Sequence, residues 1–292
     1  MLFSLNRLLL LLGVVAIFNA GNRALAQSGW PRARGELYAK LTLGGFTSSD
    51  YYNLDGNLVE TAAFRSGFGN IYAEYGLTDK LTVLADWPVY KLQGYETTET
   101  VSGIGDLKLG LKYALWGGAF PATITVMPEI PTGPSDLRAQ NLMNAFEVIN
   151  LPTGDGEFNL HGTLAVSHSF YPLPIYVNGF LGYNLRTQYQ GQSFQDQLRG
   201  GVEIGGKLGE VVWVRLNMVV QESLGDTPQF TDFVRGEGTG FSGLLGGITW
   251  MLNPAWGIDF AYQTYLSGPV ARTNVYDNHL FMLGISYQLT GD

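Results

Sequence analysis

The chain of 292 residues has no cysteine. That excludes disulfides, thiolate metal sites, a cysteine nucleophile and a lipid anchor on cysteine. Histidine is nearly absent too: His161, His168 and His279 are scattered with no HExxH spacing, which supports no metal site, and no cofactor is expected. Charge is scarce, at 14% of residues against about 25% in a typical soluble domain. What charge there is leans acidic, with a net −8, which argues against nucleic acid as a partner. No apolar run approaches the ~20 residues that a membrane-spanning helix needs. Against these absences stand 46% hydrophobic residues, 13% aromatics and 39 glycines. Such a chain can bury apolar surface and is not disordered. Its mean hydropathy of +0.06 would suit a large soluble domain, so composition alone leaves the class open.

Residues 1–26 read as an export signal. Arg7 supplies the positive start, 8–18 the apolar stretch, and Ala24-Leu25-Ala26 an A-x-A cleavage site. Cleavage after Ala26 would leave 27–292 and remove Arg7 and Arg23. The mature chain would then be more acidic still.

Beyond that point the sequence alternates with period two, as strands do. In 81–90, Leu81, Val83, Ala85, Trp87 and Val89 oppose Thr82, Leu84 and Asp86. In 106–115, Leu107, Leu109, Leu111, Tyr113 and Leu115 oppose Asp106, Lys108, Gly110 and Lys112. Twelve segments of this kind occur: 35–46, 64–75, 81–90, 105–115, 121–130, 157–170, 175–186, 197–208, 211–221, 241–251, 256–266 and 279–289. Their usual length matches the about 9–11 residues of a tilted transmembrane strand. The segment 241–251 is the least regular, with apolar residues at both parities. Short connections alternate with long ones, as in an outer-membrane barrel with periplasmic turns and extracellular loops.

The charges obey the same alternation. One face of the strands is apolar and nearly uncharged. The other collects Glu36, Lys40, Glu74, Asp86, Asp106, Lys108, Lys112, Glu129, Arg186, Arg199, Glu203, Lys207, Arg215 and Asp259. A Lys or Arg facing mid-bilayer lipid costs about 2–4 kcal/mol, whereas a lumen spares that cost. These fourteen are therefore the expected lumen-lining residues. The alternative, a soluble barrel with the charges outside, would need a small apolar core, and twelve long strands enclose too much space for one. Aromatics mark the strand ends: Tyr75, Tyr113, Trp116, Phe170, Tyr171, Trp250, Trp256 and Tyr287 beside short turns, and Phe46, Trp87, Tyr90, Tyr183 and Tyr265 toward long loops. Two interfacial girdles are expected from them. The long loops carry Asp50, Asp55, Glu60, Glu96, Glu99, Asp226, Asp232 and Glu237. These read first as solvated surface, and second as carboxylates able to bridge divalent cations to lipopolysaccharide.

Enzymatic chemistry has little to stand on. Gly103-Ile104-Gly105 lacks the third glycine of a dinucleotide site and leads into a strand. His168 and Ser169 are adjacent, which alternation places on opposite faces, out of reach of each other. No catalytic residue is expected.

At residues 75–90 (YGLTDKLTVLADWPVY) and 103–115 (GIGDLKLGLKYAL) the chain resembles a known family. These are the outer-membrane porins associated with the meta-pathway of phenol degradation, related more loosely to long-chain fatty-acid channels. The shared features are YGLTD-x-L-x-V, G-x-GD-L-x-LG-x-KY and a following PTG, present here at both Pro131-Thr132-Gly133 and Pro152-Thr153-Gly154. The resemblance spans roughly 64–290 and is carried by structural motifs, so it transfers no site residue. It implies passage of small, often hydrophobic or aromatic compounds across the outer membrane. The final strand has the G-x-x-hydrophobic-x-aromatic form at 284–289, except that Leu289 stands where an aromatic is usual.

The reading is an all-β, transmembrane, antiparallel up-and-down β-barrel of about twelve strands. It is expected in the cell outer membrane, monomeric, in contact with lipid and lipopolysaccharide, and passing a small-molecule solute. The alternative is a structural or surface-interaction barrel with no transport. The longest loop, 131–156, with apolar 142–149 inside it, is expected to fold over or into the mouth as a constriction.

Overall fold

A computed structural model describes residues 27–225 and 235–290. The expected signal segment, Asp226 and Asp232 lie outside the described residues. The architecture is a closed antiparallel barrel of β1 (Leu37–Tyr52), β2 (Leu58–Gly76), β3 (Leu81–Tyr95), β4 (Leu107–Trp116), β5 (Ala122–Ile130), β6 (Asn159–Ser169), β7 (Ile175–Arg186), β8 (Asp196–Leu208), β9 (Val212–Leu224), β10 (Phe241–Met251), β11 (Trp256–Leu266) and β12 (His279–Leu289). Each strand pairs with the next. β12 then returns to β1, with Leu289 opposite Leu37 and Ile285 opposite Leu41. Closure leaves no sheet edge, so every strand's backbone groups are met within the wall. Among the described residues there is no α-helix.

The wall is apolar outside. Leu43, Val202 and Leu283 are more than half exposed, and Leu111, Leu181 and Phe260 stand with them. Buried positions inside are often charged, as Glu74, Lys112 and Asp259 are. Interior glycines make room for long neighbours on the next strand. A Cβ on Gly201 would lie 2.5 Å from the Phe180 ring, one on Gly205 2.3 Å from the Tyr176 hydroxyl, and one on Gly247 2.9 Å from Arg215 Nε. β10 resolves its own ambiguity. Leu244, opposite Met218, stays on the outer parity with Ile248 and Trp250, while Leu245 turns inward opposite Asn217 and Gln263.

Strand limits agree with the alternation except at one end. β1, β2 and β3 run past their expected limits at 46, 64 and 90, so much of the expected loop 47–63 is strand. Asp50 faces Glu60 and Tyr52 faces Leu58, and the Asn53 side chain closes the turn by accepting the Asp55 and Asn57 N–H groups. Beyond the apolar band the outer face no longer has to be apolar, so pairing continues after alternation has faded. Gly209, in the left-handed region at φ 63°, sits in the tight turn between β8 and β9.

The outer aromatics sit where expected beside the short turns, with Trp116, Tyr171, Trp250 and Trp256 all exposed. Two of the loop-side aromatics do not belong to a girdle. Phe46 and Tyr265 have inward parity and face the lumen, where Phe46 packs against Phe64. Two residues on the charged face also fall outside the strands. Glu36 precedes β1, and its carboxylate accepts the Ala33 N–H at 3.1 Å. Asp106 precedes β4.

Candidate functional site: the barrel lumen

The inward charges assemble into separate ion clusters, because register places opposite signs on neighbouring strands. Lys112 and Glu74 are buried, with Nζ to Oε1 at 3.0 Å, and Arg32 Nε reaches Glu74 Oε2 at 2.9 Å. The Tyr72 hydroxyl donates to the same carboxylate at 2.5 Å. Elsewhere on the wall, Lys40 Nζ lies 3.0 Å and Arg215 Nη1 3.7 Å from Asp259 Oδ1, which also accepts from Thr249. Lys108 and His161 both meet Glu129, at 3.2 and 2.9 Å, and Asn159 donates to it as well. Asp86 accepts from Asn70 and Glu203 accepts from Tyr176 and Asn217.

The remaining residues of the expected set go elsewhere. Arg186 is enclosed at the long-loop end. It pairs with Glu157 at 2.5 Å and Glu237 at 3.3 Å, and lies over the Phe194 ring. Glu237 is thus buried and paired, not solvated as the loop composition suggested. Lys207 sits beside the β8–β9 turn and joins no described cluster. Arg199 faces the cavity with no ion pair among the described residues. Arg32 and Glu157 carry pairs that sequence reasoning missed. Arg32 lies outside any alternating segment. Glu157 shares the inward parity of Asn159 and His161, a signal that was available.

The segment before β1 crosses the short-turn end of the lumen. Arg32 is held at β2 by Glu74 and at β3, where its N–H donates to Thr82 at 2.9 Å. The Ser28 carbonyl accepts from Thr123 on β5, and the Gly29 N–H donates to Ser167 on β6. Asn178 on β7 donates to the Gln27 carbonyl, and the Trp30 ring meets Tyr176 edge-on. From β1 to β7 is half of a twelve-strand circumference, so these residues form a chord across the barrel. Gly29 is required there: a Cβ would lie 2.1 Å from the Pro121 carbonyl oxygen.

At the opposite end, the base of the 131–156 loop enters the mouth. Leu151 and Ala139 are buried against Phe64 and Tyr276. The apolar stretch that suggested a constriction points away instead, with Met143 85% and Phe146 97% exposed. What pins the base is Asp106, whose carboxylate accepts the N–H groups of Gly133 at 2.8 Å and Asp155 at 2.6 Å. The two PTG motifs cross here. A Cβ on Gly133 would lie 2.7 Å from the Gly154 Cα, and one on Gly154 2.5 Å from the Gly133 carbonyl oxygen. Thr132 donates to the Gly105 carbonyl, and Lys91 to the Thr153 carbonyl. Two of the motifs that carried the sequence resemblance, G-x-GD and PTG, therefore form one lock between strand and loop.

Between chord and loop base lies a cavity of 520 Å³, within the about 300–1,000 Å³ usual for small-molecule sites. Gln27 lines one end and Tyr276 and Arg235 the other, with Phe46, Phe180 and Tyr265 rings among amides and charges between them. Asp155 lines it as well. Burial, then the neighbouring Glu129, raises its carboxyl from the ordinary 3.8 to about 6, while Lys91 and Arg186 oppose the shift.

No protein-family model matches the chain, and no curated protein matches it in sequence. Solved structures do match it in fold. The COG4313 outer-membrane channel of Pseudomonas putida F1 aligns with a TM-score of 0.63 at 13% identity, over 92% of this chain and 100% of that one. The NanC porin aligns at 0.54 with 7% identity, over 86% and 100%. The translocator domain of the autotransporter NalP from Neisseria meningitidis aligns at 0.51 with 13% identity, over 87% and 88%. At these identities the likeness is one of fold, and the fold is that of outer-membrane barrels.

Proposed function

We propose that this chain is an outer-membrane channel for passive uptake of small solutes. The observation that carries the proposal is the 520 Å³ cavity, lined from Gln27 at the short-turn end to Tyr276 in the mouth. An apolar outer wall around a charged interior has no use for its length of strand except to span lipid. The cavity's mix of Phe46, Phe180 and Tyr265 rings with amide and charged groups suits a small aromatic solute that bears polar substituents. That agrees with the solute class the sequence resemblance implies. In this reading 1–26 is removed on export, the short turns face the periplasm, and the barrel works as a monomer. The acidic tips at Asp50, Asp55, Glu60, Glu96 and Glu99 stand among the lipopolysaccharide headgroups.

The chord at the short-turn end favours one competing reading, a closed barrel with a structural role. Reconstitution separates the two. A channel gives single-channel currents and lets proteoliposomes swell in small aromatic solutes. A closed barrel gives neither, although it still fractionates with outer membranes and migrates faster on unheated SDS gels.

A further inference from the structure

We infer that Arg199 is the docking point of an anion subsite in the lumen, and that the solute it takes is a small aromatic carboxylate. The inference rests on the channel reading and narrows its solute class.

The other cations facing the cavity are already engaged. Lys108 meets Glu129. Arg186 meets Glu157 and Glu237. Arg235 lies over the Tyr189 ring and donates to the Ser135 carbonyl. Arg199 has no carboxylate partner among the described residues. It is not stranded on the outer wall, since its register partners, Gly182 on β7 and Gln221 on β9, both line the cavity. Arg199 is exposed to the lumen, and its guanidinium has no counter-ion there among the described residues. An entering carboxylate supplies the pairing, and the planar fork of Arg binds it through two parallel hydrogen bonds.

The neighbourhood selects what is attached to that carboxylate. Opposite Arg199 stands Gly182, whose missing side chain leaves room beside the guanidinium, and two residues along its own strand stands Gly201. The Phe180 ring leans over Gly201, as the 2.5 Å approach to a Cβ there records. Tyr265 also lines this cavity. A flat ring in this cavity meets the Phe180 and Tyr265 rings while its carboxylate pairs with Arg199, and Gln221 stands opposite Arg199 beside the same oxygens. A bare hydrocarbon would leave the guanidinium as it is. A bulky sugar acid would not gain the ring contacts.

The test uses the full chain folded in detergent and in planar bilayers, with benzoate as probe and benzyl alcohol as its neutral counterpart. Calorimetry should show benzoate binding to the wild type, weakened about tenfold or more in Arg199→Gln. Arg199→Lys should fall between, because the charge stays and the fork is lost. Benzyl alcohol should bind at least about tenfold more weakly than benzoate to the wild type, and equally to all three proteins. Benzoate should also reduce the KCl current of the wild type but not of Arg199→Gln. Heat-modifiable migration checks that each variant is folded, and should Arg199→Gln fail it, Arg199→Lys carries the comparison. Equal benzoate binding by wild type and variants overturns the inference, as does equal binding of benzoate and benzyl alcohol. Calorimetry needs no current. Absence of any current would therefore count against the channel reading, while the calorimetric comparison still decides Arg199.

Discussion

Asp106 shows how much one side chain can hold. Its two oxygens take backbone N–H groups from Gly133 and Asp155, the two sides of the loop base. A buried N–H that loses its acceptor costs about 1–3 kcal/mol. Asp106→Ala should therefore free the loop base from the mouth without unfolding the wall. Trypsin would then cut at Arg138 faster, and single-channel conductance would rise. Trimming the exposed tip, residues 142–146, should leave conductance nearly unchanged, because those side chains point away from the lumen. Asp155 provides a pH signature at the same place. The groups facing it are Asp106, Glu129, Lys91, Arg186 and Glu157, whose own carboxyl is raised by burial to about 7. Its pKa is raised in the folded chain, so the fold holds this proton more tightly than the unfolded chain does. The stability it contributes is complete below about 3.8 and is lost as pH rises through about 6. Over the same window the mouth gains one negative charge. Reversal-potential measurements should show cation preference increasing as pH rises through about 6, and Asp155→Asn should remove that part of the rise while leaving the part Glu157 contributes nearer 7.

Among the elements, the chord before β1 is the one whose removal tells most. It spends Arg32 on Glu74, its N–H on Thr82, and a close glycine contact on Pro121. Gly29→Leu cannot be seated, so the segment must leave its place. Conductance should rise while folding persists, since Lys112 still neutralises Glu74. An unchanged conductance in a folded Gly29→Leu protein would mean that the chord is not the narrowest point. Nothing in the sequence marks this element. Alternation reveals strands because each has one apolar face, and a segment lying inside a polar lumen has no such face. The far ends of β1, β2 and β3 lack alternation for a related reason: beyond the lipid band no face has to be apolar.

The whole molecule is a wall between two media, and its stability is tied to both. Leu43 lies on the outer face of β1, opposite Leu283 and Gly69. Leu43→Arg puts a charge toward lipid and should cost about 2–4 kcal/mol if that point sits at mid-bilayer. Urea titration of folding into lipid vesicles would measure it. A fold shared with channels, a porin and a translocator domain carries no single function. The reading of function accordingly rests on the cavity and its residues.

The sequence by itself determined the wall. Period two, opposite parities for charge and apolar side chains, and alternating connection lengths each follow from a strand that must face lipid on one side and a polar interior on the other. Those demands act on every residue locally, so they can be read one segment at a time. Only the tertiary structure decided what fills the interior. Which acid meets which base depends on register between strands distant in sequence, as Glu74 with Lys112 and Asp259 with Lys40 show. That Arg199 meets none of them follows from the same register, which sets Gly182 on one side of it and Gln221 on the other. The chord and the Asp106 lock join residues through hydrogen bonds that leave no periodic trace. Such contacts exist only once the wall has curved and brought residues distant in sequence to one lumen.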